Sequence, residues 1–289
     1  MSLVINTNVA SLQSQMYLSS TQNSLQQAMQ RLSSGMRINS AADDPSGLAI
    51  ADGMTSQING MTVAEQNAND GISMVQTADS ALSSLTSTLQ TMRDLAVQAS
   101  NFATMNSTDR QDLATEFNQL GSELGRIIQN TQFNNRAVLN GSLVGANFQI
   151  GADTQANNQV SVTISNLMTA SAIGSLANLT GTGAAGHISI GSNATSLNTR
   201  STIAVIDNAV QKIDKFRAIL GAVQNRFQTT ISNLQSSITN QSAARSRIQD
   251  ANFASETSNL SRAQILQQAG TAMLSQANQS NQSVLTLLK

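Results

Sequence analysis

The sequence predicts a mainly α protein in which N- and C-terminal segments form long helical hairpins or a coiled coil around a small β-rich middle. Three observations predict it. Apolar residues recur at alternating spacings of three and four near both ends of the 289-residue chain. That rhythm stops at Ala137. The stretch 154–199 then contains no Asp, Glu, Lys or Arg and holds five of the 17 glycines between 174 and 191, so it is expected to bury little and reads as a weakly ordered loop or a small β appendage.

The N-terminal stripe runs Ile5, Val9, Leu12 and Met16, then Leu25, Met29, Leu32 and Met36. Two apolar positions per seven make the narrow seam of helices packed along one another. Gly35 is placed to end this helix, because a C-terminal cap in the left-handed region favours glycine. Residues 37–44 read as a connection. Asp43-Asp44-Pro45 then supplies N-cap side chains and the chain's single proline, at the first helical position where a missing N–H costs nothing. The next stripe is Ile72, Val75, Leu82, Leu85, Leu89, Met92, Leu95 and Ala99. Thr108 with Gln111 has capping-box spacing and predicts a helix over 109–129, with Leu113, Phe117, Leu120, Leu124 and Ile127 as its apolar face.

In the middle, Leu139-Asn140-Gly141 predicts a turn. Phe148 and Ile150, then Val160, Val162 and Ile164, alternate with polar residues as half-buried strands do. Stretch 166–199 is expected to bury little. The longest stripe follows, through Ile203, Ile206, Val210, Ile213, Leu220, Phe227, Ile231, Leu234 and Ile238. The last consists of Leu266, Ala269, Met273, Ala277, Val284 and Leu287.

Composition narrows the function. Charged residues make up 11% of the chain against ~25% in ordinary soluble proteins, and the formal net charge is −1. Neither nucleic acid nor an anionic membrane would find a basic field here. The absence of cysteine excludes disulfides and thiol chemistry. A single histidine, His187, excludes a His-based metal cluster, and no cofactor or catalytic constellation is implied. Asp43-Asp44 is read as a helix cap rather than a metal site. The start MSLVINTNVA lacks the basic and apolar regions of a Sec-type signal, and no run reaches the ~18–20 apolar residues of a membrane helix.

The end helices are rich in Gln, Asn and Ser. Their only charges are Arg31 and Arg37 in the first forty residues, and Glu256, Arg262 and Lys289 beyond Asp250. Such helices draw their stability from packing rather than propensity. A neutral amide surface can be buried against neighbouring copies without desolvating charge, so the pattern suits assembly.

Several ordered motifs resemble bacterial flagellin over roughly 1–150 and 200–289. At the N-terminal end they are Ile5-Asn6-Thr7-Asn8, Arg31-Leu32-Ser33-Ser34-Gly35, Arg37-Ile38-Asn39-Ser40-Ala41 with Asp43-Asp44, Asn67-Ala68-Asn69-Asp70-Gly71-Ile72-Ser73, and Thr131-Gln132-Phe133-Asn134. At the C-terminal end they are Leu220-Gly221-Ala222-Val223-Gln224-Asn225-Arg226-Phe227, Ala244-Arg245-Ser246-Arg247-Ile248 with Asp250, and Gln276-Ala277-Asn278-Gln279. Asn281 stands where the family often has proline, and Lys289 extends past its usual Leu-Leu end.

The resemblance implies a secreted structural subunit of the flagellar filament, exported unfolded by the type III route and assembled as a helical homopolymer. It implies an export chaperone, hook-junction and cap proteins as partners, with no enzymatic activity and no membrane insertion. Residues 1–44 plus 249–289 would form the coiled-coil inner tube. Residues 45–165 plus 200–248 would form a helical outer-tube domain with a β-hairpin, and 166–199 a short variable surface insertion. Subunit packing and assembly are then expected from Ile5, Val9, Leu12, Arg31, Leu32, Leu85, Leu89, Leu220, Asn225, Arg226, Phe227, Ile231, Arg245, Arg247, Ile248, Leu266, Met273 and Leu287. The stretch 90–98 resembles the helix read by a vertebrate innate receptor, which singles out Arg93 and Leu95. There Thr91 replaces the family's arginine and Asp94 its glutamate.

Overall fold

The computed structural model describes residues 7–153, 155–177 and 188–287. Helices dominate. Helix α1 spans Val9–Ser34, α2 Pro45–Ala99, α3 Ser107–Asn130, α4 Ser171–Ala177, α5 Ser196–Gln249 and α6 Phe253–Leu287. Between α3 and α4 lie four short strands, β1 (Gln132–Phe133), β2 (Arg136–Ala137), β3 (Ala146–Gln149) and β4 (Gln159–Val162). The predicted mainly α class with a small β-rich middle holds. By packing the chain divides into two units, one of residues 1–58 with 239–289 and one of 59–238.

In the first unit, α1 and α6 pack antiparallel. Asn8 Nδ2 donates to the Ala277 carbonyl at 2.9 Å, Leu18 faces Gly270, and Arg31 reaches Glu256. Helix α1 opens with the Asn8 side chain accepting from Ser11 N and closes at Gly35, whose φ of 71° is the left-handed cap expected there. The connection to α2 is tied down by two carboxylates. Asp43 accepts from the Ser40 hydroxyl and from the Asn39 and Ser40 amides. Asp44 accepts from Gly47 N and the Ser46 hydroxyl, capping α2 in front of Pro45. These bonds hold both carboxyls below the ordinary aspartate value, Asp43 chiefly through Ser40 and Asp44 chiefly through the Gly47 amide. The break between α5 and α6 is stitched to this connection by backbone bonds, Arg37 N to the Gln249 carbonyl and Ala251 N to that of Gly35.

The second unit holds the large core. Along α2, Ala64, Ala68, Gly71, Val75, Ala78, Leu82, Leu85, Leu89, Met92, Ala96 and Ala99 are all buried, alternating steps of four and three without a break. Along α5, Thr199, Thr202, Ile206, Ala209, Ile213, Leu220, Phe227, Ile231 and Leu234 are buried. Both follow the heptad rhythm of a long helical seam. Their flanks are joined by Arg217 to Asp79 at 2.9 Å, Arg93 to Asp207 at 2.7 Å and Gln235 to Glu65 at 2.7 Å.

The β segments pack on this core. Strands β1 and β2 form a two-residue hairpin whose turn, Asn134-Asn135, has φ of 48° and 60°, the left-handed pair such hairpins demand. Sequence spacing missed this hairpin, because two-residue strands carry no alternation to read. Strands β3 and β4 pair antiparallel with Phe148 opposite Val160, and Val160 and Val162 point into the core.

Two expectations are corrected. The cap of α3 lies two residues earlier than Thr108–Gln111: Asn106 Oδ1 accepts from Asp109 N, and Asp109 Oδ2 reaches back to Asn106 N. Asp109 is charged as well as correctly spaced, and near a helix N-terminus that favours it over Gln111. The stretch 166–199 was expected to bury little, yet Leu167, Ile173, Leu176, Ile190 and Ala194 are buried and α4 packs on α3. A helix of 7 residues, about two turns, is too short to show periodicity.

Candidate assembly surface

The terminal hairpin shows an unusual division of side chains. In a two-helix coiled coil the large apolar residues ordinarily fill the mutual seam. Here the seam of α1 runs Ser11, Ser14, Leu18, Thr21, Leu25, Ala28 and Leu32, and that of α6 runs Glu256, Leu260, Ala263, Gln267, Gly270, Leu274 and Ala277. Each keeps the three-and-four rhythm, but small and polar residues fill much of it. The predicted N-terminal stripe divides: Leu25 and Leu32 join the seam, whereas Val9 is 64% exposed, Leu12 51% and Met16 74%. On α6, Phe253, Ile265, Leu266 and Met273 are all exposed as well. The expectation that these stripes form the hairpin's own seam is thereby corrected for the exposed residues, while Leu25, Leu32 and Ala277 of the same stripes do lie in it. Several large apolar side chains on one hairpin, left in water, mark an interaction surface.

The seam is pinned at both ends by polar groups. Near its open end Ser11 Oγ donates to Asn278 Oδ1 at 2.9 Å. At the other end Arg31 Nη1 lies 3.3 Å from Glu256 Oε1, with only 10% of the Glu256 side chain exposed. A cleft of about 370 Å³ beside this pair is lined by Thr21, Gln27, Asn259 and Arg262 among others. Among the described residues no group of three or more His, Cys, Asp or Glu side chains is placed to hold a metal ion.

The other residues singled out by sequence fall into two sets. Leu85, Leu89, Leu95, Leu220, Phe227 and Ile231 are buried within the chain's own core. Asn225, Arg226 and Arg247 are exposed, while Leu32, Arg245 and Ile248 are half-buried. Arg245 donates to Thr55 Oγ1 at 3.1 Å, and the Ile248 carbonyl accepts from Arg37 Nη2. Arg93 is spent on Asp207. The Arg217 pKa is raised, chiefly by its hydrogen bond to Asp79. Ile5 and His187 lie outside the described residues, as does the side chain of Leu287. Sequence reasoning missed Glu256, although one carboxylate recurring in heptad register with Ala263, Gly270 and Ala277 was a readable signal.

Comparison with known proteins agrees with this arrangement. The family model of the bacterial flagellin N-terminal helical region matches residues 5–143, and that of the C-terminal helical region matches 203–288. Flagellin of Bacillus subtilis is 41% identical over 305 residues, covering 99% of both chains. The flagellar filament 33 kDa core protein of Treponema phagedenis is 39% identical, covering 99% of this chain and 100% of its own. Among solved structures, a putative flagellar hook-associated protein from Vibrio parahaemolyticus covers 72% of this chain and 100% of its own with a TM-score of 0.54. At 10% identity that likeness concerns the fold alone.

Proposed function

The chain belongs to the bacterial flagellin family, and from that premise we propose how it reaches and builds its filament. It is a structural subunit of the extracellular flagellar filament, and its family is not one of enzymes.

The observation that carries the proposal is the outward apolar face of the terminal hairpin. Val9, Leu12 and Met16 on α1, with Ile265, Leu266 and Met273 on α6, are the surface on which copies bury one another. At ~25 cal/mol per Å² of apolar area removed from water, a few such side chains per contact supply several kcal/mol. Residues 1–44 with 249–289 form the inner tube of the polymer in this reading. Residues 45–165 with 200–248 form the outer tube, and 166–199 is the variable segment on it. Ile5 and Leu287 also serve packing between copies in this reading, while Asn225, Arg226, Arg245 and Arg247 make polar contacts between copies.

Export proceeds with the chain unfolded through the flagellar type III route. The chain has no cysteine and so no covalent staple to resist threading. An export chaperone meets it inside the cell, and hook-junction and cap proteins meet it at the filament's two ends. Receptor recognition of the 90–98 helix would rest on what Arg93 leaves exposed beside Asp207.

Electron microscopy tests the reading. Purified chain added to short seeds of its own filament should elongate them, and Leu12→Ser/Met273→Ser should abolish elongation while leaving the second unit's melting unchanged. Undiminished growth of that variant would refute the apolar-face reading. Loss of the chain from the medium of cells whose flagellar export gate is inactivated tests the route separately.

A further inference from the structure

We propose that Met16, Met29 and Met273 form an oxidation site that governs assembly: an oxidant of the peroxide class converts them to sulfoxides in the free subunit and so withdraws that subunit from polymerisation. This inference rests on the filament-forming reading above and adds to it a chemical control of the same apolar surface.

Methionine is unevenly placed in this chain. Met74 and Met92 are buried in the core of the second unit, and Met36, Met54, Met61, Met105 and Met168 are half-buried. Met16 is 74% exposed, Met273 62% and Met29 47%. All three lie on α1 and α6, the helices that carry the outward apolar face. Met16 stands one turn after Leu12, and Met273 two turns after Leu266. Burial between copies does not by itself require methionine at these positions, because leucine offers a similar apolar volume. Methionine adds an adaptable shape and a second chemical state.

The second state is reached by oxygen transfer. A sulfur lone pair attacks one oxygen of hydrogen peroxide, an S–O bond forms as the O–O bond breaks, and water leaves. Sulfur is oxidised by two electrons and the peroxide is reduced by two. The oxidant comes from water, so exposure decides which sulfurs react first.

The product suits an interface poorly. A thioether loses its water at little cost, whereas a sulfoxide oxygen is a strong acceptor that needs a donor in exchange. The apolar side chains of Val9, Leu12, Ile265 and Leu266 on the same surface offer none. Reversal depends on an outside reductant. Reduction consumes two thiols per sulfoxide, which become a disulfide as water leaves, and the chain has no cysteine to supply them. A thiol-dependent reductase reaches these sulfurs in the free subunit, before the face is covered by neighbouring copies.

The soluble full-length chain is treated with hydrogen peroxide until Met16 and Met273 are largely sulfoxide, and the modified sites are located by peptide mass mapping. Met74 and Met92 should then carry about ten-fold less sulfoxide than Met16. Elongation of untreated seeds by the oxidised chain should fall about five-fold or more below that of its untreated sample. The same treatment is applied to Met16→Leu/Met29→Leu/Met273→Leu, which keeps every other methionine. Each protein is scored against its own untreated sample, so that any effect of leucine on elongation cancels. The variant's loss should stay within about two-fold. Incubating the oxidised parent with methionine sulfoxide reductases for both sulfoxide epimers, together with dithiothreitol, should restore its elongation.

Undiminished elongation by the oxidised parent overturns the proposal. So does an equal loss in the leucine variant, a loss that the reductases do not reverse, or oxidation of Met74 and Met92 as fast as of Met16. If the untreated parent does not elongate the seeds, the filament-forming reading fails and this inference with it, a result distinct from all of these.

Discussion

The ring of Phe148 on β3 meets that of Phe227 on α5 edge-on, with centroids 5.5 Å apart and planes at 82°. Edge-to-face geometry of this kind sets the positive rim of one ring against the negative face of the other. Phe227 is fully buried, and its far side rests on Gly71 of α2, where a Cβ would lie 2.7 Å from Cζ. One ring thus fixes the strand pair, α5 and α2 with respect to one another.

Gly71→Ala should therefore destabilise the second unit despite the better helix propensity of alanine. The propensity gain is about 1 kcal/mol, and overpacking a filled site costs about 1–3 kcal/mol. Gly221→Ala, at a helical site with open space around its Cβ, should instead stabilise by up to about 1 kcal/mol. Thermal melts of the two soluble variants should move in opposite directions.

Leu85→Asp should cost several kcal/mol, since the site is fully buried and offers the carboxylate no partner. Denaturation of the soluble chain measures the loss, and filaments should be absent. Normal filaments from this variant would contradict the burial of the α2 seam.

Ile173→Ala should cost about 2–5 kcal/mol, the range for emptying a buried aliphatic site. Were this segment merely a surface loop, the same change would be nearly silent. Urea denaturation distinguishes the two, and it also predicts that replacing 172–196 by a Gly/Ser linker is costly.

The connection before α2 should weaken in acid. The folded-state pKa of Asp43 lies below its unfolded value, so its contribution is fully present above the unfolded value and is lost as pH falls through the folded one. Asp43→Asn should lower the melting temperature of the first unit at pH 7. Its penalty should shrink as the parent's own carboxyl is protonated below about pH 4, near the unperturbed aspartate value. A penalty independent of pH would show that the carboxylate charge plays no part.

What the sequence determined alone was local and periodic. Gly35 could be read as the end of α1 because a φ of 71° is cheap only without a Cβ, and Pro45 as the start of α2 because its lost N–H is unused there. The seams of α2 and α5 were legible for a similar reason: many turns in one register average away single exceptions. The choice between Asn106 and Thr108 as cap was not legible, since neighbouring residues all offer a suitable oxygen. Nor was the burial of Ile173 and Leu176, which depends on α3 lying beneath α4.

Only the tertiary structure decided which face of each end helix meets the other. Periodicity groups Val9, Leu12 and Met16 on one side and Ser11, Leu18 and Ala28 on another, but it names no partner for either side. The structure puts the second group between the helices, because that side finds partners on α6 along the whole seam, Ser11 on Asn278, Leu18 on Gly270 and Arg31 on Glu256, and such complementarity belongs to the pair of helices rather than to the period of either.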